Sequence, residues 1–310
     1  MRVVVVIPVR DGAASVAACV GACLGQTRRP DEVVVVDNGS TDATALLAAQ
    51  AGARVVTEDT PGSYRARNRG WRSAEADVVA FTDVDCVPTP TWLAELVAPF
   101  EDDPTVAGTG GAIVQDELVS ASQRWLVERR FLDQAFNSSE AFMPFFATAN
   151  AAYRRRTLER LGGFDEAFLS GGDNDMSWRI QALTDERLVF RPEAVVHHHV
   201  GRRLGEVTGR SRRYAAGNVL LERRWSAFPG YPPDPGVLAR TRRVWQLPAA
   251  VAYRLMTHRP VSVSFVDAAV ALSAERGRRQ GRRAARTAVL APVPVPGTGA
   301  RPRRRVDQPV

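Results

Sequence analysis

The chain has 310 residues, 45% of them hydrophobic and 24% charged, which is enough for one large domain with an appendage or for two small domains. The net charge is +7, and neither an apolar run of eighteen residues nor a basic-then-apolar leader occurs, so we expect no membrane-spanning helix and no secretory signal. The three cysteines, Cys19, Cys23 and Cys86, are too few for a disulfide framework or a four-ligand zinc site. We therefore expect a protein of the reducing cytoplasm.

The first hundred residues alternate between predicted strands and predicted helices. Short runs rich in valine and isoleucine are typical of buried parallel strands. The predicted strands are Arg2–Ile7, Glu32–Val36, Arg54–Thr57 and Asp77–Thr82, and the predicted helices are Ala13–Leu24, Asp42–Gln50, Ser63–Ser73 and Pro90–Phe100. This order predicts an α/β fold, with a mostly parallel central sheet covered by helices on both faces.

The second part of the chain is less regular. We predict strands at Val106–Val114, Phe145–Tyr153, Leu188–Arg191 and Ala194–His198, and helices at Ser122–Phe136, from Met176 onward, and at Leu204–Arg224, Arg240–Met256 and Val263–Arg276. The end of the chain is rich in proline and arginine, which is typical of disorder. We divide the chain into a catalytic domain (1–200), a basic helical appendage (201–285) and a disordered tail (286–310).

Asp83 and Asp85 follow the apolar strand Asp77–Thr82 and carry the strongest chemical signal in the chain. Side chains alternate along an extended chain, so both carboxylates face the same way. Two like charges held close together are costly unless a cation lies beside them. Mg²⁺ or Mn²⁺ would accept these oxygens together with phosphate oxygens of a substrate. The plain alternative is a loop with two solvated aspartates.

Further carboxylates follow the other predicted strands, at Asp11, Asp37 and Glu58-Asp59. Ligands of parallel sheets bind beyond the carboxyl ends of the strands, so these side chains collect at the binding edge. The turn after the first strand has only Gly12 and lacks the glycine pattern that cradles a pyrophosphate. We expect a nucleotide here to be held by carboxylates and metal.

Seven segments in this order resemble family-2 glycosyltransferases of the GT-A fold, and the resemblance extends from the N-terminus to about residue 220. The segments are VVIPVRD (5–11), VDNGSTD (36–42), PGSYRARNRG (61–70), FTDVDCVP (81–88), TANAAYRR (148–155), LGGFDE (161–166) and GGDNDMSWR (171–179). The resemblance implies transfer of a sugar from a nucleoside-diphosphate donor to an acceptor hydroxyl, with inversion at the anomeric carbon. The acceptor would be a glycan, a lipid-linked molecule or a small molecule.

The resemblance also implies roles for individual residues. Asp85 would bind Mn²⁺ or Mg²⁺, and a histidine after a later strand would complete the coordination. His198 fits that position best and His199 next; because of the alternation along a strand, His197, His198 and His199 cannot all be ligands. The residues implied to contact the donor are Pro8, Arg10, Asp37, Arg65, Arg67, Asp83 and Val84. Plainer readings are an Asx-turn for Asp37, a solvated helix face for the two helical arginines, and a surface cluster for the histidines.

Inversion needs a general base that takes the proton of the acceptor hydroxyl. Asp173 matches the aspartate of the family's usual Glu-Asp pair, although Gly172 stands at the glutamate position. We therefore take Asp173 as the predicted base and Asp175 as the reserve. Alternatively, either aspartate only caps the helix that starts near Met176.

The charge is divided unevenly between the two parts of the chain. Residues 1–200 have 19 arginines against 28 acidic residues, a balance of −9, whereas residues 201–310 have 22 arginines against 6 acidic residues, a balance of +16. An anionic membrane surface or a lipid-phosphate acceptor fits arginines that flank apolar segments. No aromatic-interleaved platform for nucleic acid occurs, so we do not expect nucleic acid as a partner. A solvated tail is the plain alternative.

Two other functions compete with glycosyl transfer. A sugar nucleotidyltransferase uses a similar sheet and metal, but it normally has a glycine-rich loop with an arginine after the first strand, which is missing here. A non-catalytic protein that binds nucleic acid or membrane could keep a degenerate transferase fold. The acidic cluster argues against it, because without metal those carboxylates would repel phosphates.

Overall fold

The computed structural model describes residues 1–115, 119–139, 142–199, 203–290, 293 and 306–307. The strands are β1 Val3–Val9, β2 Glu32–Asp37, β3 Arg54–Thr57, β4 Val78–Thr82, β5 Cys86–Pro88, β6 Val106–Gln115, β7 Asn150–Arg154, β8 Arg187–His198 and β9 Val306–Asp307. The helices are α1 Val16–Leu24, α2 Thr44–Gln50, α3 Ser63–Arg72, α4 Trp92–Asp102, α5 Ala121–Glu128, α6 Gln134–Ser139, α7 Arg155–Arg160, α8 Gly172–Leu183, α9 Leu204–Trp225, α10 Gly236–Arg240, α11 Arg242–Trp245, α12 Leu247–Met256 and α13 Ser262–Ala285. None of the described helices is long and apolar enough to cross a bilayer.

One mixed sheet organises the molecule, with the strand order β3-β2-β1-β4-β7-β6-β8-β5 and with β9 paired to β8. The strands β3, β2, β1 and β4 are parallel, as the alternation of strands and helices predicts. β7 runs antiparallel between β4 and β6. The short strand β5 runs antiparallel to β8 at the end of the order. The parallel half therefore brings the ends of β1, β2 and β4 to one edge.

The sheet has a hydrophobic core on each face because its strands alternate their side chains. In β1, Val4 and Val6 pack into one core, with side chains of α3, α8 and α9. Val3, Val5 and Ile7 pack into the opposite core, with side chains of α1 and α4. This arrangement confirms the predicted α/β fold with helices on both faces.

The C-terminal helices pack directly on this body. Val219, Leu220, Leu221 and Trp225 of α9 belong to the same core as α3 and α8. α13 crosses α9 at Gly277 and Gly281. The two backbones are so close there that a Cβ atom on either glycine would collide with the backbone of α9. The division at residue 200 stays a prediction, and α9 shares its core with the segment before that division.

Several predicted elements have different limits in the structure. The segment 122–136 forms α5 and α6 with a break between them, and the segment 240–256 forms α10, α11 and α12. β7 starts at Asn150 rather than Phe145, and β8 unites two predicted strands across an irregularity in its pairing with β6. Of the predicted tail, Val306–Asp307 pairs with β8, while residues 291–292, 294–305 and 308–310 lie outside the described residues.

Candidate functional site

The candidate site lies where β1, β2 and β4 end. Val9 of β1 is paired with Asp37 of β2, and Asp83 follows β4 directly. Because these strands are parallel, the acidic residues that follow them reach the same edge of the sheet, as the sequence predicts. The order of the parallel strands is therefore sufficient to bring Asp37 and Asp83 to the same edge of the sheet.

A buried histidine meets the second aspartate of the D-x-D segment. β5 and β8 are antiparallel with Cys86 opposite His198, which brings His198 Nε2 to 3.5 Å from Asp85 Oδ2. The backbone N–H of His199 donates to the carbonyl oxygen of Asp85 at 2.8 Å and fixes this turn. The structure therefore brings His198 to Asp85, in agreement with the preferred histidine of the sequence.

The donor atoms of Asp85 and His198 fit a divalent ion. His198 Nε2 and Asp85 Oδ2 lie 3.5 Å apart, so one cation could be shared between them. Among the described residues, Asp85, Cys86 and His198 form a group whose ligand atoms lie within 4.8 Å of one another. Mg²⁺ and Mn²⁺ prefer oxygen and imidazole ligands to thiolate, so Asp85 and His198 are the fitting pair.

Burial sets the protonation of this pair. Burial lowers the pKa of His198, against the opposing effect of the Asp85 charge, and so favours the neutral imidazole that a metal requires. Burial also raises the pKa of Asp85, with His198 opposing the rise. A bound cation would offset the cost of keeping this carboxylate ionised in its partly enclosed position.

Asp83 has a different partner. Its Oδ1 accepts from Nη2 of Arg67 at 2.5 Å, and the Arg67 side chain is only 6% exposed. Arg67 also donates to the carbonyl oxygen of Ser63 in its own helix. Arg67 is therefore not part of a solvated helix face; it is buried and orients Asp83. Arg65, on the same helix, forms an ion pair with Glu166 at 2.8 Å.

Asp173 lies in the first turn of α8, beside a buried tyrosine. The Tyr64 hydroxyl donates to Asp173 Oδ1 at 3.1 Å, and the Arg67 guanidinium lies 5.5 Å from the centre of the Tyr64 ring. Burial raises the pKa of the Asp173 carboxyl, although the Arg67 charge and the Tyr64 hydrogen bond lower it. Asp173 is thus a carboxylate with an increased proton affinity, linked through Tyr64 and Arg67 to Asp83.

Asp175 is completely buried and occupied by protein partners. Its carboxylate forms ion pairs with Arg179 and Arg224, each at 2.8 Å, and accepts from the indole N–H of Trp225 at 3.0 Å. No part of this carboxylate faces a space where an acceptor hydroxyl could reach it. The geometry therefore favours Asp173 over Asp175 as the proton acceptor.

The remaining predicted donor residues line the same edge. Asp37 accepts through Oδ1 from the backbone N–H of Ser40 at 3.0 Å, so the turn alternative is realised. Pro8 is half-buried in β1, Arg10 is exposed just after it, and Val84 is half-buried between the two acidic residues. Their contacts with a donor stay predictions.

Sequence reasoning did not single out Tyr64, although it lies in one of the quoted segments. Tyr64 precedes Arg67 by three residues, so both lie on one face of α3. It also did not identify Arg224 and Trp225 as partners of Asp175. No local pattern signals them, because they belong to α9, about fifty residues later in the chain.

Comparison with known proteins identifies relatives of this arrangement. The model of the family described as glycosyl transferase family 2 matches residues 4–162. Glycosyltransferase AglE of Haloferax volcanii is 29% identical over 229 residues, which cover 70% of this chain and 73% of the relative. The pre-mycofactocin glycosyltransferase of Mycobacterium tuberculosis is 30% identical over 210 residues, which cover 63% of this chain and 42% of the relative.

Solved structures share the fold. Mannosyltransferase PcManGT from Pyrobaculum calidifontis, in complex with GDP-Man and Mn²⁺, has a TM-score of 0.60 and 24% identity, with 92% of this chain and 86% of that chain covered. Glucosyl-3-phosphoglycerate synthase from Mycobacterium tuberculosis, in complex with Mn²⁺, uridine-diphosphate and phosphoglyceric acid, has a TM-score of 0.52 and 21% identity, with 76% of this chain and 80% of that chain covered.

Proposed function

The chain belongs to glycosyl transferase family 2, and from this premise we propose that it transfers a sugar from a nucleoside-diphosphate donor to an acceptor hydroxyl, with inversion and with Mn²⁺ or Mg²⁺ as cofactor. The observation that carries the proposal is the pairing of Asp85 with His198 at the strand-end edge that also holds Asp83. Family membership favours glycosyl transfer over the nucleotidyltransferase and the non-catalytic binding protein.

Asp85 and His198 would hold the metal ion. When bound there, the ion supplies positive charge to the departing diphosphate and orients it. The PcManGT and glucosyl-3-phosphoglycerate synthase complexes that contain Mn²⁺ with a nucleotide support this assignment. His197 and His199 remain alternatives only if the end of β8 rearranges.

The donor would lie along the ends of β1, β2 and β4. Asp83, held by Arg67, is oriented to accept from the hydroxyls of a ribose or from a base, and Asp37 is placed to read a base edge. The residues proposed to complete the donor site are Pro8, Arg10, Arg65 and Val84. Arg65 is already paired with Glu166, so its reach to a diphosphate requires that this pair opens.

Asp173 would act as the general base. As the acceptor oxygen forms its bond to the anomeric carbon, the bond from that carbon to the diphosphate oxygen breaks, and the hydroxyl proton moves to the Asp173 carboxylate. Its raised pKa supports this role, because a base with a higher proton affinity takes a hydroxyl proton more readily. The Tyr64 hydroxyl holds one carboxylate oxygen in place and leaves the second for the acceptor.

Asp85→Ala tests the proposal. We expect metal-dependent affinity for a nucleoside diphosphate to be lost while the fold is kept, because this strand-end carboxylate contributes little to the core. The measurement is calorimetric titration with UDP, GDP, dTDP, CMP and ATP, with and without Mn²⁺. Asp102→Ala is the matched control, since Asp102 is an exposed carboxylate at the last residue of α4 and is not one of the carboxylates that follow the parallel strands.

Unchanged metal-dependent affinity in Asp85→Ala would refute the metal assignment. A response to ATP alone would favour the nucleotidyltransferase, and no response of the wild-type protein to any nucleotide would favour the non-catalytic protein. Donor hydrolysis across nucleotide sugars would then identify the base and the sugar.

We further propose that the basic C-terminal part contacts an anionic membrane surface at the inner face of the cell membrane. The +16 balance of residues 201–310 supports it. So do large apolar side chains that are exposed on α11 and α12, among them Trp245, Tyr253, Leu255 and Met256. An exposed apolar helix beside arginines is typical of segments that lie in the membrane interface.

A further inference from the structure

An apolar cavity lies between α5, the segment that follows it, α9 and α13. Its volume is about 160 Å³. The residues that line it include Trp125, Leu126, Phe131, Val207, Arg210 and Tyr214. We call this cavity the aryl groove. It lies outside the strand-end edge where the donor residues collect.

We propose that the aryl groove binds an aromatic ring carried by the sugar acceptor. The inference rests on the proposed function, since it takes Asp173 as the base and places the acceptor beside it. The acceptor is thereby assigned to a chemical class: a molecule whose reacting hydroxyl belongs to, or is linked to, an aromatic ring.

One wall of the groove is tied to the candidate metal residues. The amide of Gln115 donates to the carbonyl oxygen of Phe131 at 3.0 Å. In the sheet, Gln115 of β6 is paired with His198 of β8. Gln115 therefore links the two sites: its side chain contacts Phe131, and its backbone lies beside that of His198.

Tyr214, which lines the groove beside Phe131, is tied to the candidate base. Tyr214 and Leu221 are two turns apart on α9 and therefore lie on the same helical face. Leu221 packs against Gly171, which precedes α8 and lies two residues before Asp173. Desolvation raises the pKa of Tyr214 to about 12 against the opposing charge of Arg210, and the charges of Asp173 and Asp83 add to the rise. Tyr214 is thus connected along one face of α9 to the start of the helix that carries Asp173.

The size and lining of the groove select the ligand. An apolar cavity of about 150 Å³ binds a benzene ring in another protein, so 160 Å³ accommodates one aromatic ring. The Phe131 and Tyr214 rings are stacked 5.5 Å apart, and the Arg210 guanidinium lies 5.6 Å from the centre of Phe131. Such an aromatic wall prefers a flat ring to a bare sugar.

The test compares phenyl β-D-glucoside with methyl β-D-glucoside, which lacks the ring. Saturation-transfer NMR titrations with metal-free protein measure the affinity of each glucoside in the absence of turnover, and for the phenyl glucoside they show whether the ring protons contact the protein. We expect the phenyl glucoside to bind at least about tenfold more tightly than the methyl glucoside, because only the former buries a ring. In a second assay, the release of nucleoside diphosphate from UDP-glucose or GDP-mannose with a glucoside present, minus the release by water alone, measures transfer.

Ala274→Leu fills the groove from α13 and should abolish this preference. Ser262→Leu adds the same side chain at the exposed start of α13 and should leave the preference unchanged. Phe131→Leu is a second variant, which keeps an apolar side chain but removes the stacked ring. Hydrolysis of the donor by water should be the same in all of these proteins, since none of the three residues touches the donor edge.

Equal binding of the two glucosides, or a preference that survives Ala274→Leu, would overturn the inference even if the donor is hydrolysed. Binding of the phenyl ring without any donor hydrolysis would instead uphold the groove and count against the proposed transferase reaction.

Discussion

Two aspartates in the first turns of α8 have opposite surroundings. The Asp173 carboxylate accepts a hydrogen bond from one side chain, that of Tyr64. The Asp175 carboxylate is instead enclosed by two arginines and an indole. Both positions suit a carboxylate near the positive end of a helix. The hydrogen bonds found for the Asp173 carboxylate, from Tyr64 and from the backbone N–H of Asn174, all involve Oδ1, and this difference from Asp175 can be tested directly.

Asp173→Asn should reduce sugar transfer by about 10²–10⁴-fold, because an amide cannot take the acceptor proton. The melting temperature and donor affinity should stay near those of the wild type, since asparagine can still accept the Tyr64 hydrogen bond. Single-turnover transfer and calorimetry provide the two measurements.

Asp175→Asn is the informative comparison. It should lower the free energy of unfolding by about 3 kcal/mol, because Arg179 and Arg224 lose a buried counter-charge. Its transfer rate per folded molecule should change much less than that of Asp173→Asn. Near-normal transfer by Asp173→Asn would mean that the proton acceptor lies elsewhere.

The pH dependence of transfer should report the Asp173 carboxyl. Burial raises its pKa, and the base acts only when deprotonated, so the rate should fall as the pH drops through this raised value. The Tyr64 hydrogen bond lowers the pKa, so Tyr64→Phe should move the acid limb of kcat/KM to higher pH. If the acid limb of kcat/KM stays at the same pH in Tyr64→Phe, the group that titrates is not the carboxyl that Tyr64 contacts.

At the scale of elements, α9 and α13 approach each other through glycines. A Cβ atom on Gly277 would meet the backbone of Arg212, and one on Gly281 would meet the backbone of Ala216. Close backbone approach requires that these positions have no side chain. The contact holds two helices that are otherwise rich in arginine.

Gly277→Ala should therefore destabilise the protein by about 1–3 kcal/mol through overpacking. The control is Gly209→Ala on α9, where a Cβ atom meets nothing within 4 Å. There alanine should stabilise by about 1 kcal/mol, because glycine is a poor helix former. Urea unfolding measures the free energy of unfolding of both variants. Equal changes in this free energy would contradict the close crossing of α9 and α13.

The sequence predicted the parallel half of the sheet well, because each of its strands is a short valine-rich run with a helix behind it. It did not predict β5, whose three residues carry no alternation. Yet β5 is what brings His198 to Asp85. The metal pair could be proposed only through family resemblance, since its formation depends on a pairing between distant segments.

The two aspartates of α8 show the same limit. The sequence identified both as candidates, and it could not separate them. The distinction comes from Arg224 and Trp225 of α9, which fill the space around Asp175. Tertiary packing between segments about fifty residues apart leaves no local periodicity to read.

At the scale of the whole molecule, charge and exposed apolar surface occur together in the C-terminal part. Five of the six tryptophans are buried, whereas Trp245 is 71% exposed. Trp245 is therefore a natural reporter of any surface that covers α11 and α12.

We expect the tryptophan emission to shift to the blue when vesicles with anionic lipids are added at low salt, as Trp245 enters the interface. Zwitterionic vesicles should cause little shift. Trp245→Phe should keep vesicle binding but lose the shift, because the remaining tryptophans are already buried. A shift that depends on protein concentration without vesicles would indicate a second copy of the chain instead.

Removal of residues 287–310 should leave donor hydrolysis unchanged and weaken vesicle sedimentation. This boundary keeps α13 whole, whereas a cut at residue 275 would divide it. The removed segment contains four arginines, each worth about 1 kcal/mol near an anionic surface. Equal sedimentation of both proteins would exclude a membrane role for the tail.

The pairing of Asp175 with Arg224 also has a consequence for biosynthesis. These residues are about fifty positions apart, and translation proceeds at about 5–20 residues per second. In a nascent chain, Asp175 therefore has Arg179 as a partner but waits about 2.5–10 seconds for Arg224. Arg224 can complete its pair with Asp175 only after α9 has been synthesised, so the full set of partners around the start of α8 forms late in the synthesis of the chain.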